Sequence, residues 1–95
     1  SINGVAYEAA LGSDTVRGFD DSSSPYAYTL SGGLSTVSAA AACISGMDGG
    51  NGAWAVLSGS PALTSSSIGL HALEDQIGDA EQKHTTTQVG YIVFE

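Results

Sequence analysis

Turn formers divide this chain into segments too short for a long packed helix. Gly12-Ser13-Asp14, the loop 20–25 (DDSSSP), Ser31-Gly32-Gly33, the stretch 47–52 (MDGGNG) and Gly59-Ser60-Pro61 recur at intervals of about eight to fourteen residues. Between them apolar side chains alternate. Val5, Tyr7, Ala9 and Leu11 interleave with Ala6, Glu8 and Ala10, and Tyr26, Tyr28 and Leu30 repeat the pattern. A period of two marks a strand with one buried face. Seven strands are expected, over residues 5–11, 15–19, 26–30, 36–44, 53–58, 68–72 and 88–94. In a chain of 95 residues this predicts one all-β domain spanning 1–95, a small antiparallel β-sandwich, immunoglobulin-like in outline. The Cys…Trp…Cys spacing of antibody domains is absent, because Cys43 is the only cysteine.

Two of these segments carry more than a strand assignment. Residues 36–44 (TVSAAAACI) contain four consecutive alanines, which favour helix intrinsically. Their confinement between glycine turns, with Val37, Cys43 and Ile44, favours a strand. Val37, Ala39, Ala41 and Cys43 would share one face, and Ser38, Ala40, Ala42 and Ile44 the other. An alanine strand lets another layer approach closely, so a bulky ring, from Trp54 or a tyrosine, is expected opposite it. Cys43, set among alanines, is expected to be buried and inert. Residues 88–94 (QVGYIVF) are apolar on both faces. Such a strand is central and covered on both sides, or it is covered by a partner chain.

Charge narrows the function classes. Ten acids face two bases, Arg17 and Lys83, for a formal net charge of −8. Nothing here can displace counterions from phosphates, so a nucleic-acid partner is not expected. Acidity also opposes docking on an anionic membrane, and no apolar run reaches the ~18 residues of a membrane-spanning helix. A mean hydropathy of +0.10 is that of a folding chain.

Catalytic constellations are missing. His71 and His84 lie thirteen residues apart, with no HExxH motif and no cysteine cluster for zinc. Serine is abundant, but no GxSxG elbow occurs. The reading is therefore not an enzyme. Two stretches remain as binding candidates. Glu74, Asp75, Asp79 and Glu81 present hard oxygen ligands at a density that suits Ca²⁺, the one cofactor the sequence suggests; the alternative is a solvated acidic loop. Asp48, Asn51 and Trp54, in MDGGNGAW, combine hydroxyl-binding groups with an aromatic face suited to a sugar ring. The alternative there is a glycine turn with Trp54 as the core aromatic.

Residues 48–57 (DGGNGAWAVL) and 74–94 (EDQIGDAEQKHTTTQVGYIVF) resemble a family of modules in secreted and surface proteins of environmental bacteria. That family carries a DGGNGxWAVL block followed by an EDQxxDxExxHTTxxVxYxVF block. The chain from Thr64 to Leu70 and from Val89 to Phe94 is also similar, more loosely, to H-type lectin domains, small β-sandwiches that form trimers or hexamers and bind N-acetylgalactosamine. No sugar-binding residue carries over from those lectins. The resemblances imply an extracellular, non-catalytic β-module of the bacterial cell surface.

Two function classes follow. The first is a structural subunit of an extracellular filament or surface array, with copies of itself as partner. Small domains bury a modest share of their surface and need reinforcement. Here disulfides are excluded, and Ala, Gly, Ser and Thr dominate positions that would otherwise carry charge. Such a surface costs little to desolvate and order. Ile2, Val5, Tyr7, Ala9 and Leu11 form an apolar arm, 1–11, that either pairs within its own chain or is donated to a neighbour's sheet edge. Tyr91 and Phe94 of the last strand complete the self-assembly candidates. The second class is a lectin-like carbohydrate-binding module with glycans as ligands.

Overall fold

The computed structural model describes residues 2–19, 24–45, 53–74 and 86–95. Among these, six strands form two antiparallel sheets. They are β1 (Tyr7–Leu11), β2 (Tyr26–Thr29), β3 (Ala39–Ile44), β4 (Ala53–Leu57), β5 (Ser67–Glu74) and β6 (Val89–Phe94). One sheet runs β1-β6-β3 and the other β2-β5-β4. The fold is all-β and sandwich-like, and the alanine run is a strand. The alanines' intrinsic helix preference is worth only tenths of a kcal/mol per residue, less than the full ladder that β3 makes with β6 from Ala39↔Phe94 to Ile44↔Val89.

The seventh expected strand, 15–19, is corrected by the structure. Its hydrogen bonds divide between the two sheets. Val16 exchanges backbone bonds with Thr87, ahead of β6, at 3.2 and 2.9 Å, whereas Arg17 and Phe19 bond Ala72 of β5 at 2.9 and 3.0 Å. The β-branched residues suited a strand, but the segment is a cross-tie that passes from one sheet to the other.

Register fixes which side chains enter the core. On β6, Val89, Tyr91 and Val93 point inward, opposite Ile44, Ala42 and Ala40 of β3. From the second sheet come Tyr28, Ile68 and Leu70, joined by Val16, Leu30 and Leu34 from the connections. Tyr91 and Tyr28 stack at 5.6 Å. The bulky ring expected opposite the alanines is corrected: the described strand that lies against β3 is β4, which turns Ala53 and Ala55 toward it, and the tyrosine pair joins β6 to β2 instead, with Tyr91 beside Ala42 in the same sheet. Burial raises the ionisation range of both phenols, Tyr28 and Tyr91, so both stay neutral, and the Tyr28 hydroxyl donates to the Ser13 carbonyl at 2.6 Å.

Candidate functional site: an apolar outer sheet face

The outward positions of the β1-β6-β3 sheet form a lattice of three rows. Tyr7, Phe94 and Ala39 are in register, as are Ala9, Ile92 and Ala41, and Leu11, Gly90 and Cys43. No charged side chain occupies these positions, and the Tyr7 hydroxyl is the one oxygen among their side chains. Leu11 is 59% exposed and Tyr7 43%, and the Tyr7 and Phe94 rings lie tilted at 6.5 Å. Ile2 and Val5, bridged to each other in the turn before β1, are also exposed.

A shallow hollow of ≈ 240 Å³ opens on this lattice, lined by Ala41, Ala42, Cys43, Gly90, Tyr91 and Ile92. Its cause is side-chain size. Gly90 has no side chain where its register partner Leu11 has four carbons, and Ala41 and Cys43 are short. The Gly90 amide donates to Ser45 Oγ at 3.1 Å, which closes the polar edge of the hollow.

Two nearby carboxylates are held off this face by one loop. Glu8 alternates to the other side of β1, where it accepts from the Ser31 amide at 2.9 and 3.1 Å and from the Ser31 hydroxyl at 2.8 Å. Glu95, just past β6, accepts from the Ser35 amide at 3.0 Å and the Ser35 hydroxyl at 2.8 Å. The Ser35 hydroxyl, then its amide, hold the Glu95 carboxyl below the usual glutamate range. A folded-state value below the unfolded one adds stability that is present above the unfolded pKa and is lost as pH falls through the folded one. Ser35→Ala should therefore move the Glu95 titration, followed by carboxyl NMR shifts, up toward the ordinary range. The stability gap between wild type and variant should be present at neutral pH and vanish on acidification through the carboxylate range.

The structure sorts the sequence candidates. Tyr7, Ala9, Leu11 and Phe94 share the outer face, with Ile2 and Val5 exposed beyond it. Tyr91 does not belong with them. It is 9% exposed and faces the core, because β6 alternates and its odd-numbered positions point inward. The arm is engaged within its own chain, where β1 pairs with β6 from Tyr7↔Phe94 to Leu11↔Gly90. Cys43 is exposed rather than buried, since Ala40, Ala42 and Ile44 take the inward side of β3. Strand β6 is central, and its outer side has no cover from the described residues.

Trp54 is not a core aromatic. It is 49% exposed, on the outer side of the second sheet opposite Leu73, while Ala53 and Ala55 take the inward positions. Phe19 is 54% exposed and packs edge-on against His71 at 5.3 Å. His71 itself is buried and shares a 2.8 Å hydrogen bond between Nδ1 and Ser58 Oγ. That accounts for the histidine by structure. Asp48 and Asn51, the expected partners of Trp54 on a sugar, lie outside the described residues. So do Asp75, Asp79 and Glu81 of the calcium expectation, and the fourth, Glu74, is buried and engaged at the end of β5. Among the described residues no group of three or more His, Cys, Asp or Glu side chains is placed to hold a metal ion. Sequence reasoning missed the hollow, although Gly90 between two apolar neighbours was its signal. Comparison of the chain with family models, with curated proteins and with solved structures finds no match.

Proposed function

We propose that this chain is a structural subunit of a bacterial extracellular filament or surface assembly, and that copies associate through the outer face of the β1-β6-β3 sheet. The observation that carries this reading is the uncharged three-row lattice on a chain of net charge −8. Contiguous exposed apolar area of this kind is characteristic of association surfaces. A central strand that is apolar on both sides is explained when a second molecule covers the side its own chain leaves open. Face packing replaces donation of the arm in this proposal, because removing β1 would strip one neighbour from β6. The module is immunoglobulin-like in outline only, as two packed antiparallel sheets.

Size-exclusion chromatography and negative-stain microscopy of the purified chain are expected to show filaments or large particles. Ala9→Lys combined with Leu11→Lys should return the protein to monomers. Each ammonium would have to leave water on association, at an effective cost of several kcal/mol per ion. Ser66→Lys, at an exposed position on the second sheet's side, should assemble as wild type does. A wild-type chain that elutes as a monomer at high concentration sinks the proposal, as does assembly that survives both face lysines.

A second reading, a lectin-like carbohydrate module, is favoured by the exposure of Trp54. On a glycan array it predicts binding that Trp54→Ala abolishes, and a blank array removes it.

A further inference from the structure

One edge of β5 is taken by β4. The other edge is shared. β2 holds it in the antiparallel sense as far as Tyr26↔Leu70, and the cross-tie continues it in the parallel sense at Gly18↔Ala72. Where one partner hands over to the other, a second hollow of ≈ 230 Å³ opens. Thr15 and Arg17 of the cross-tie line it, with Ser24, Pro25 and Tyr26 at the start of β2. We propose that this hollow binds an acidic sugar, with the Arg17 guanidinium on the carboxylate of a uronic acid and the Tyr26 ring against the sugar ring. The proposal is independent of how copies associate.

Charge selects an anion. The chain has two bases. Lys83 lies outside the described residues, and among the described residues Arg17 has neither an ion pair nor a side-chain hydrogen bond. The described acid nearest to it along the chain, Asp14, does not pair with it, and Asp20 and Asp21 lie outside the described residues. The planar guanidinium fork matches the two oxygens of a carboxylate. One positive group balances one negative charge, and any further charge on the ligand meets the repulsion of a chain of net charge −8. A monoanion is therefore favoured over a phosphate dianion.

Shape and lining select a sugar ring. A closed cavity of ~150 Å³ takes a benzene ring, so ≈ 230 Å³ has room for a six-membered ring with its substituents. Tyr26, 41% exposed, and Pro25 offer an apolar wall to the C–H face of a sugar. Thr15, whose Oγ1 is set by Ser13 Oγ at 2.8 Å, and Ser24 bring hydroxyls to the same hollow. Hydroxyls bond a sugar's own hydroxyl groups and gain nothing from the plain ring of an aromatic acid. The backbone beneath is fixed, because the Arg17 carbonyl accepts from the Ala72 amide at 2.9 Å. The Tyr26 ring meets Tyr28 edge-on at 5.4 Å. Little beyond the guanidinium has to be ordered on binding, which keeps the entropic cost small.

The test is saturation-transfer NMR on the full chain, which reads the ligand's own signals and so serves for single molecules and fibres alike. Wild-type protein should transfer saturation to glucuronate. Glucose, the same ring without the carboxylate, should bind roughly tenfold or more weakly, as expected when a charge-assisted hydrogen bond is lost. Arg17→Gln, at an exposed position, should reduce glucuronate to the level of glucose. Arg17→Lys keeps the charge without the fork and should fall between. Tyr26→Ala should weaken both sugars. Glucose that binds as tightly as glucuronate overturns the assignment, as does glucuronate binding that survives Arg17→Gln or Tyr26→Ala unchanged. Wild-type protein that transfers nothing to glucuronate overturns it too. So does tighter binding of benzoate, inorganic phosphate or a blocked acidic tripeptide, each of which would assign the hollow to a different class of ligand.

Discussion

Tyr28→Ala strongly destabilises the domain, at an expected cost of about 3–5 kcal/mol. The ring joins several parts of the structure. It stacks on Tyr91 across the sandwich and meets Tyr26 edge-on at 5.4 Å. Its face lies over Gly12, so closely that a Cβ there would overlap the ring. Its hydroxyl closes the turn after β1 through the Ser13 carbonyl. Truncation empties the centre of a core with nine buried apolar side chains among the described residues and releases the turn as well. Domains of this size hold about 5–15 kcal/mol in total, so urea unfolding should show a large share of that margin gone. Tyr28→Phe separates the contributions. It keeps the packing and loses one hydrogen bond, for about 1 kcal/mol, because the exposed Ser13 carbonyl still accepts from the Thr15 amide at 3.0 Å. If Tyr28→Ala unfolds at the wild-type urea midpoint, the tyrosine stack is not the centre of the core.

The second large effect comes from adding one carbon. Gly69 lies in β5 beneath the Ser58 carbonyl, and a Cβ on it would sit inside the contact distance of that oxygen. The obstruction is backbone and cannot rotate away. Ser58 is also held there, since its amide bonds the Gly69 carbonyl at 2.9 Å while the Gly69 amide bonds Ala62 at 2.8 Å. Gly69→Ala must therefore separate β5 from the chain leaving β4. About 3 kcal/mol is expected, which lowers the melting temperature of a domain this size by roughly 12–24 °C. Gly33→Ala is the control, because the nearest atom to its added carbon would be Ser31 Oγ at 3.7 Å, an ordinary contact. A Gly69→Ala protein that melts with wild type would mean that Ser58 lies elsewhere.

Alternation made much of the architecture readable. Tyr7, Ala9 and Leu11 do share a face, and the strand cores at 26–30, 53–58, 68–72 and 88–94 are strands within a few residues of their expected ends. Alternation cannot say which of two similar faces turns inward. In β3 both faces carry small apolar groups, so the outward position of Cys43 was decided by the partner, once Tyr91 and Val93 of β6 pointed into the core. Trp54 misled for a related reason. The largest aromatic is a natural core candidate, but β4 lies close to β3, and only Ala53 and Ala55 fit on that side. The segment 15–19 shows a third limit. Its composition announces extended backbone, but whether consecutive amides bond the same sheet depends on the whole topology. The candidate site was legible as an apolar arm and a two-faced last strand. Their fusion into one lattice required the β1–β6 register.

That register also places residues 6 and 95 side by side, with the Glu95 amide donating to the Ala6 carbonyl at 2.9 Å. Whatever precedes β1 and follows β6 leaves from the same corner of the sheet. Tension applied through those two attachments would peel β1 from β6 one rung at a time, beginning at the Glu95–Ala6 bond and passing to Tyr7↔Phe94, so no two rungs would resist together. Pulled this way, the module is a zipper that opens under small force. A fibre made of it would be strong only if the strain ran from molecule to molecule across their broad sides, bypassing the ends of the chain.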